Sequence, residues 1–176
     1  MQLIKGRGVA VTVPDTYVNA DPEIIRDPEW CLLFALDTKL GPTGNRTVFT
    51  ISKGKVSSEE VTLESQISSV VEDIKDVGGT NIKVKTCVHG NSECVEVAFT
   101  LMQEGKTFRL LQYWIKEGAD VYVLVFTTYV SEFPQRYDEF SQIFSSFHVL
   151  EEYRMPGKEI SRKVIKGKNE EEWEKY

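Results

Sequence analysis

Apolar and polar positions alternate most regularly between residues 82 and 128. In CVEVAFTL, an extended chain puts Val95, Val97, Phe99 and Leu101 on one face. In TFRLLQYWI, Phe108, Leu110, Gln112 and Trp114 share one side, while Arg109, Leu111, Tyr113 and Ile115 share the other. Both sides carry apolar bulk. VYVLVFTT is likewise apolar on both, as a central strand covered on each face would be. The connections, Glu104 to Lys106 and KEGAD, are short, and short turns join antiparallel neighbours, so Ile82 to Thr128 predicts a four-stranded meander. Upstream, VAVTVP, EWCLLFALDT and RTVFTIS predict three more strands, separated by loops containing Pro22, Pro28, Gly41, Pro42 and Gly44. The loop from Asp15 to Glu29 is long for a passive connection.

Two stretches change the period from two to 3.6. In VTLESQISSVVEDIKDVGG, the residues Leu63, Ile67, Val70, Val71, Ile74 and Val77 recur at helical spacing, with Thr62 as the expected N-cap and Gly78-Gly79 as the stop. In SEFPQRYDEFSQIFSSF, Ser131 is the expected cap and Pro134 fits the first turn. Phe133, Tyr137, Phe140, Phe144 and Phe147 then form one stripe. Full burial of a large apolar side chain contributes about 1.5 to 3 kcal/mol, so this stripe is assigned to the core rather than to a ligand. The prediction is an α+β fold: a three-layer α/β/α sandwich around a central, mainly antiparallel sheet. One domain is expected over residues 1–150, followed by a charged extension, 151–176, that is not expected to fold by itself.

Composition narrows the function. The 176 residues are 41% hydrophobic and 27% charged, ordinary globular usage that fits one domain with a continuous core. A net charge of -6 argues against general nucleic-acid binding, which needs clustered Lys and Arg. No window approaches the roughly 20 apolar residues that span a bilayer, and MQLIKGRGVAVTV is not a signal peptide. The expected location is the cytoplasm, with a removed leader left open; NRT at Asn45 would be a glycosylation acceptor only on a secretory route. Of three cysteines, Cys87 and Cys94 fall opposite each other if CVHGNSEC is a hairpin turning on Gly90 and Asn91. Reduced, half-buried thiols are favoured there over a cross-strand disulfide.

Catalytic chemistry finds little to work with. Cys87 and His89 share a strand face roughly 7 Å apart, too far for a thiolate–imidazole hydrogen bond, and with Cys94 they supply three zinc ligands where a closed site wants four. His148 follows a helix end and reads as a surface histidine. Glu72 and Asp76 read as a solvated helix face. There is no GxxxxGK followed by Ser or Thr, and no GxGxxG after a strand, so neither nucleotide nor any other cofactor is expected. The basic SRKVIKGK is neutralised by the NEEEWEK that follows. Four residues remain as partner-binding candidates. Trp173 and Tyr176 are aromatics in a charged terminus, weighed evenly against a tail packed on its own domain; Arg109 and Tyr113 would be displayed if their strand face lacks a full helix roof, whereas Trp114 reads as core.

TVPDTY after the first strand, EGKTFRLLQYWIKEGADVYVLVFTT in the meander and IFSSF closing the second helix resemble the PsbP-like α/β/α sandwich over Gly8 to Val149. That fold is shared by photosystem II extrinsic PsbP proteins, Mog-type Ran-binding proteins, DcrB-like bacterial proteins and Eag chaperones. The resemblance implies a non-enzymatic adaptor, assembly factor or chaperone with a protein partner, with no nucleic acid and no transmembrane segment; a homodimer is left open. The charged extension after Val149 departs from the pattern, and no residue-level binding motif carries over. The competing reading is a carrier of a small apolar ligand or lipid in a pocket between helix and sheet.

Overall fold

The computed structural model describes residues 1–20, 31–42 and 44–151. The loop with Pro22 and Pro28 and the extension with Trp173 and Tyr176 lie outside the described residues. The strands are β1 (Gln2–Lys5), β2 (Val9–Val13), β3 (Tyr17–Asn19), β4 (Cys31–Asp37), β5 (Val48–Lys55), β6 (Thr80–Thr86), β7 (Glu93–Gln103), β8 (Lys106–Glu117), β9 (Asp120–Tyr129) and β10 (His148–Val149); the helices are α1 (Leu63–Asp76) and α2 (Phe133–Ser146).

The predicted meander is β6 to β9. β5 pairs antiparallel with β9 from Val48↔Thr127 to Lys55↔Asp120, which joins the upstream strands to the meander in one seven-stranded antiparallel sheet of order β3-β4-β5-β9-β8-β7-β6. The predicted upstream strands are β2, β4 and β5; β2 leaves the main sheet and pairs with β1 and β10 in a three-stranded sheet of its own. β1, β3 and β10 were not expected, because strands of two to four residues carry too few positions to display a period.

Two apolar layers flank the main sheet. On one side Phe49, Leu111, Tyr113, Leu124 and Phe126 meet Phe140, Ile143 and Phe144 of α2, with Val9, Val11 and Val13 of β2 closing the same core. Phe126 stacks on Phe140 at 4.6 Å and Tyr113 on Phe144 at 4.0 Å. Three members of the expected stripe, Phe140, Phe144 and Phe147, are buried, while Phe133 and Tyr137 sit half-buried at its rim. Glu132, not Ser131, takes the N-cap position of α2 and makes no side-chain cap bond; Pro134 lies in the first turn as expected.

On the opposite side α1 buries Leu63 and Ile74 against Val95, Val97, Phe99 and Val121. The Thr62 hydroxyl accepts from the Ser65 N–H at 3.2 Å, and a Glu93 carboxylate oxygen at the start of β7 accepts the Leu63 N–H at 2.7 Å, so two orphan amides of the first turn are satisfied. Gly78 ends the helix at φ +90, a conformation that favours glycine; Val77, expected on the apolar stripe, is exposed.

This second roof is partial. α1 lies over β6 and β7 and reaches Trp114, Val121 and Val123 with its inner side. Farther across the sheet, Phe34, Leu36, Val48, Val125 and Tyr129 share the α1 side by register but are only half-buried, and neither described helix packs broadly on β4 or β5 there. The double covering predicted for β9 therefore holds on its α2 side and only at one end of the other.

Cys87 and Cys94 form a disulfide, which corrects the expectation of reduced thiols. The facing positions were foreseen from the hairpin, whose Cys87 N–H donates to the Cys94 carbonyl at 3.1 Å. The favoured redox state was wrong, because position in a hairpin fixes proximity and not oxidation.

Candidate functional site

The described surface offers two distinctive places. The first is a groove of about 720 Å³ between the β6 margin and the first half of α2. Among the described strands β6 is outermost in its sheet, paired only with β7, and a register shift between Thr80 and Lys83 bends it, with Asn81 at φ 47. Alternation sends Lys83 and Lys85 to the α2 side, opposite Ala98 and Glu96. α2 does not extend over these outer strands, so its rim residues Phe133, Pro134 and Tyr137 become the facing wall.

The charges here are unevenly matched. Glu96 is buried, accepts the Tyr137 hydroxyl at 2.9 Å and pairs with the Lys85 ammonium at 3.0 Å, while Lys85 also donates to the Tyr137 oxygen at 2.7 Å. The Tyr137 bond and then the Glu96 contact push the Lys85 pKa up. Arg109 is 5% exposed and reaches across β7: its Nη1 donates to the Asn81 carbonyl at 2.6 Å and to the Thr100 hydroxyl at 3.0 Å, and the guanidinium lies 5.7 Å from the Phe133 ring centre. Its partners are thus neutral oxygens and a ring, with no carboxylate among the described residues, and burial lowers its pKa.

The four candidates fare differently. Arg109 lies in the groove lining, although the face that carries it is the one roofed by α2 and its side chain is buried. Tyr113 is 2% exposed, stacked on Phe144 and edge-on to Phe126; burial, then the nearby Glu96 charge, pushes its phenol pKa up. It offers no free surface. Trp173 and Tyr176 lie outside the described residues. Trp114 packs beside α1 as a half-buried core residue, donating to Gln112 at 3.0 Å. Sequence reasoning missed Lys83, Lys85 and Glu96, whose signal was present: two lysines two apart in a strand, and a carboxylate on the side of CVEVAFTL opposite Val95 and Val97.

The second place is the sheet face beyond α1. Phe34, Leu36, Val48 and Val125 are interspersed there with Thr50, Ser52 and Thr127, and Phe108 stacks on Tyr129 at 5.1 Å. Under α1 itself lies a pocket of about 260 Å³ lined by Leu63, Ile67, Val70, Trp114 and Val123. A third hollow of about 700 Å³, by Leu40, Gly41, Glu132 and Arg136, is bordered by the buried Asp37–Arg136 ion pair at 2.6 Å.

Both histidines are occupied by backbone. One His89 ring nitrogen lies 2.8 Å from the Phe147 carbonyl, and a His148 nitrogen lies 3.1 Å from the Ser146 carbonyl. The disulfide leaves Cys87 and Cys94 no thiolate, and burial raises the pKa of the free Cys31. Among the described residues no group of three His, Cys, Asp or Glu side chains could hold a metal ion, and no helix is long and apolar enough to cross a membrane.

No known family model and no curated protein matches the chain. Solved structures do. The solution structure of the cyanobacterial PsbP protein CyanoP from Synechocystis sp. PCC 6803 superposes with a TM-score of 0.59 at 10% identity, over 84% of this chain and 91% of that one. LpqN, involved in cell envelope biogenesis of Mycobacterium tuberculosis, gives 0.56 at 14% identity over 81% and 83%. The Pseudomonas aeruginosa protein PA94, of unknown function, gives 0.56 at 14% over 83% and 94%. At these identities the likeness is one of fold: a PsbP-like α+β sandwich with an antiparallel sheet between two helices.

Proposed function

We propose that this protein is a non-enzymatic adaptor or assembly factor of the PsbP-like superfamily, which binds a protein partner through the open face of its main sheet. The observation that carries the reading is that face: Phe34, Leu36, Val48 and Val125, interspersed with Thr50 and Thr127, are partly exposed on a rigid sheet where no described helix packs broadly over them. Contiguous apolar surface framed by polar residues is the usual mark of an interaction site. The extension after Val149, with Trp173 and Tyr176, serves as a second contact.

The carrier reading is weaker, because the apolar pocket under α1 is about 260 Å³, below the roughly 300 to 1,000 Å³ of ligand sites, while the larger hollows of about 720 and 700 Å³ are lined by charged side chains, Lys83, Lys85, Glu96 and Arg109 in one and Lys39, Glu132 and Arg136 in the other. An enzyme is disfavoured because neither histidine is hydrogen-bonded to a side chain that it could activate. On location, a bonded Cys87–Cys94 pair is the kind of feature that persists where thiols stay oxidised, which supports an oxidising compartment as the alternative to the cytoplasm expected from the sequence.

The test is a Phe34→Lys/Val125→Lys variant, two charges on the open face. Its melting temperature and circular dichroism should match the wild type, while chemical cross-linking in the native host followed by mass spectrometry should lose a partner that the wild type captures. Retention of the same cross-linked proteins by a folded variant would refute the reading.

A further inference from the structure

We propose that the groove between β6 and α2 binds an acidic, aromatic-bearing peptide segment of a partner protein, with a carboxylate on Arg109 and Lys83 and an apolar side chain against Ala98 and Phe133. The inference rests on the protein-binding reading above but concerns a surface of its own.

Three observations converge on this chemistry. The first is the Arg109 guanidinium, buried and directed over the β6 margin, whose partners among the described residues are the Asn81 carbonyl, the Thr100 hydroxyl and the Phe133 ring. A buried cation is ordinarily paired with an anion, since removal from water penalises the charged form, and here the open side of the site is where a counter-charge enters. The second is the charge left after internal pairing. Glu96 is matched by Lys85, so among the described residues Lys83 and Arg109 stand as two cations in excess, on a chain whose net charge is -6. An acidic ligand is repelled by most of this surface and drawn to the exception, which gives the site its selectivity.

The third is shape. The groove runs beside an outermost strand, is open along its length, and has an apolar floor at Ala98 and walls at Phe133 and Pro134. An inorganic anion or a nucleotide phosphate has no use for such walls, whereas a peptide that alternates acidic and aromatic side chains engages both the cations and the apolar surface. The chain's own NEEEWEKY, residues 169–176, has a composition of that kind, and its docking in the groove is the rival occupant that the experiment separates.

The probe is a fluorescein-labelled hexapeptide alternating Glu with Trp, Val and Phe, and its counterpart with Gln in place of every Glu, titrated onto the full chain by fluorescence polarisation at low and physiological salt. The acidic peptide should bind at least tenfold more tightly than the Gln peptide, with affinity falling as salt rises, and amide NMR shifts should cluster at Lys83, Lys85 and Ala98. Lys83→Glu, a substitution at an exposed position, should weaken binding at least tenfold without moving the melting temperature; Arg109→Gln should do the same if it folds, and Lys83→Glu keeps the test decisive if it does not. Equal affinity for the two peptides, or indifference to Lys83→Glu, would overturn the proposal. So would a tenfold gain in peptide affinity for the Glu170→Gln/Glu171→Gln/Glu172→Gln variant, which would make the chain's own terminus the occupant. Failure here leaves the cross-linking result at Phe34 and Val125 untouched, so the two readings fall separately.

Discussion

Neutralising Asp37 should destabilise the domain clearly. Asp37 ends β4, is 1% exposed, and accepts from Arg136 Nη2 at 2.6 Å and from the Lys39 N–H at 3.0 Å. Arg136 lies in the first turn of α2, donates also to the Tyr17 oxygen at 3.2 Å and pairs through Nε with Glu139 at 3.3 Å, so this cluster fastens the start of α2 to β3 and β4. Removing one member of a buried pair costs about 3 to 5 kcal/mol. Arg136 is 20% exposed and keeps Glu139, which places Asp37→Ala at the lower end, about 3 kcal/mol, and Asp37→Asn, which preserves shape, at about 2 kcal/mol. At about 2 to 4 °C per kcal/mol for a domain of this size, the alanine variant should melt roughly 6 to 12 °C lower. Urea titration should show a lower midpoint with an unchanged slope, and in a cycle with Arg136→Met the double variant should cost clearly less than the two singles added.

The same carboxylate sets a pH dependence. Burial alone would raise its pKa, but hydrogen bonds from Arg136, Thr16 and Lys39 outweigh that and hold it below the ordinary carboxylate value. A depressed folded pKa means that the stabilisation is complete above the unfolded value of about 4 and is lost as pH falls from there through the folded pKa. Asp37→Asn should therefore flatten the acid limb of the stability curve below about pH 4. An Asp37→Asn variant within about 0.5 kcal/mol of wild type at neutral pH, or one with an unchanged acid limb, would refute the reasoning.

Three further outcomes are expected. Reductant should lower the urea stability of the wild type by up to about 2.5 kcal/mol, the closure entropy of the short loop between Cys87 and Cys94, and should leave a Cys87→Ser/Cys94→Ser variant unaffected. Phe140→Ala, at a fully buried ring stacked on Phe126, should cost about 3 to 5 kcal/mol in the same assay, and a smaller loss would mean that α2 is not seated as described. Deleting Glu151 to Tyr176 should leave the melting temperature unchanged while weakening partner capture; a collapse in melting would make the extension structural rather than a contact.

The strands and helices were legible where their periods run long. Eleven residues of β7 and twelve of β8 give the alternation enough repeats to fix both the strand and its two faces. Nothing local announces β10: His148 and Val149 become a strand only because β2 lies beside them. The α2 cap failed for a similar reason, since a Ser before a helical run is a good signal until the chain enters the helix one residue later. The groove was half legible. Arg109 was singled out for its residue type, but its value depends on Asn81 and Thr100, contacts across β7 that no spacing along β8 reveals.

The two faces of the main sheet have similar polarity patterns but different side chains, and that difference explains which face is closed. Toward α2 the sheet presents Phe49, Tyr113, Tyr122, Leu124 and Phe126, large groups whose burial supplies much of the core. On the other side β5 and β9 present Val48, Thr50, Ser52, Val123, Val125 and Thr127. Small β-branched residues are good strand formers with stiff side chains, so they lose little rotamer freedom when a partner immobilises them, and their hydroxyls keep the open face compatible with water. The β5–β9 part of that face remains stable when uncovered and takes a flat apolar surface at low entropic cost, with Phe34, Phe108 and Tyr129 adding aromatic area at its margins, whereas the fully buried rings of the α2 side could not be left bare. On the adaptor reading, the closed role falls to the α2 side and the recognition role to the other, where Val48 and Val125 lie with Phe34 and Leu36, rather than to Tyr113.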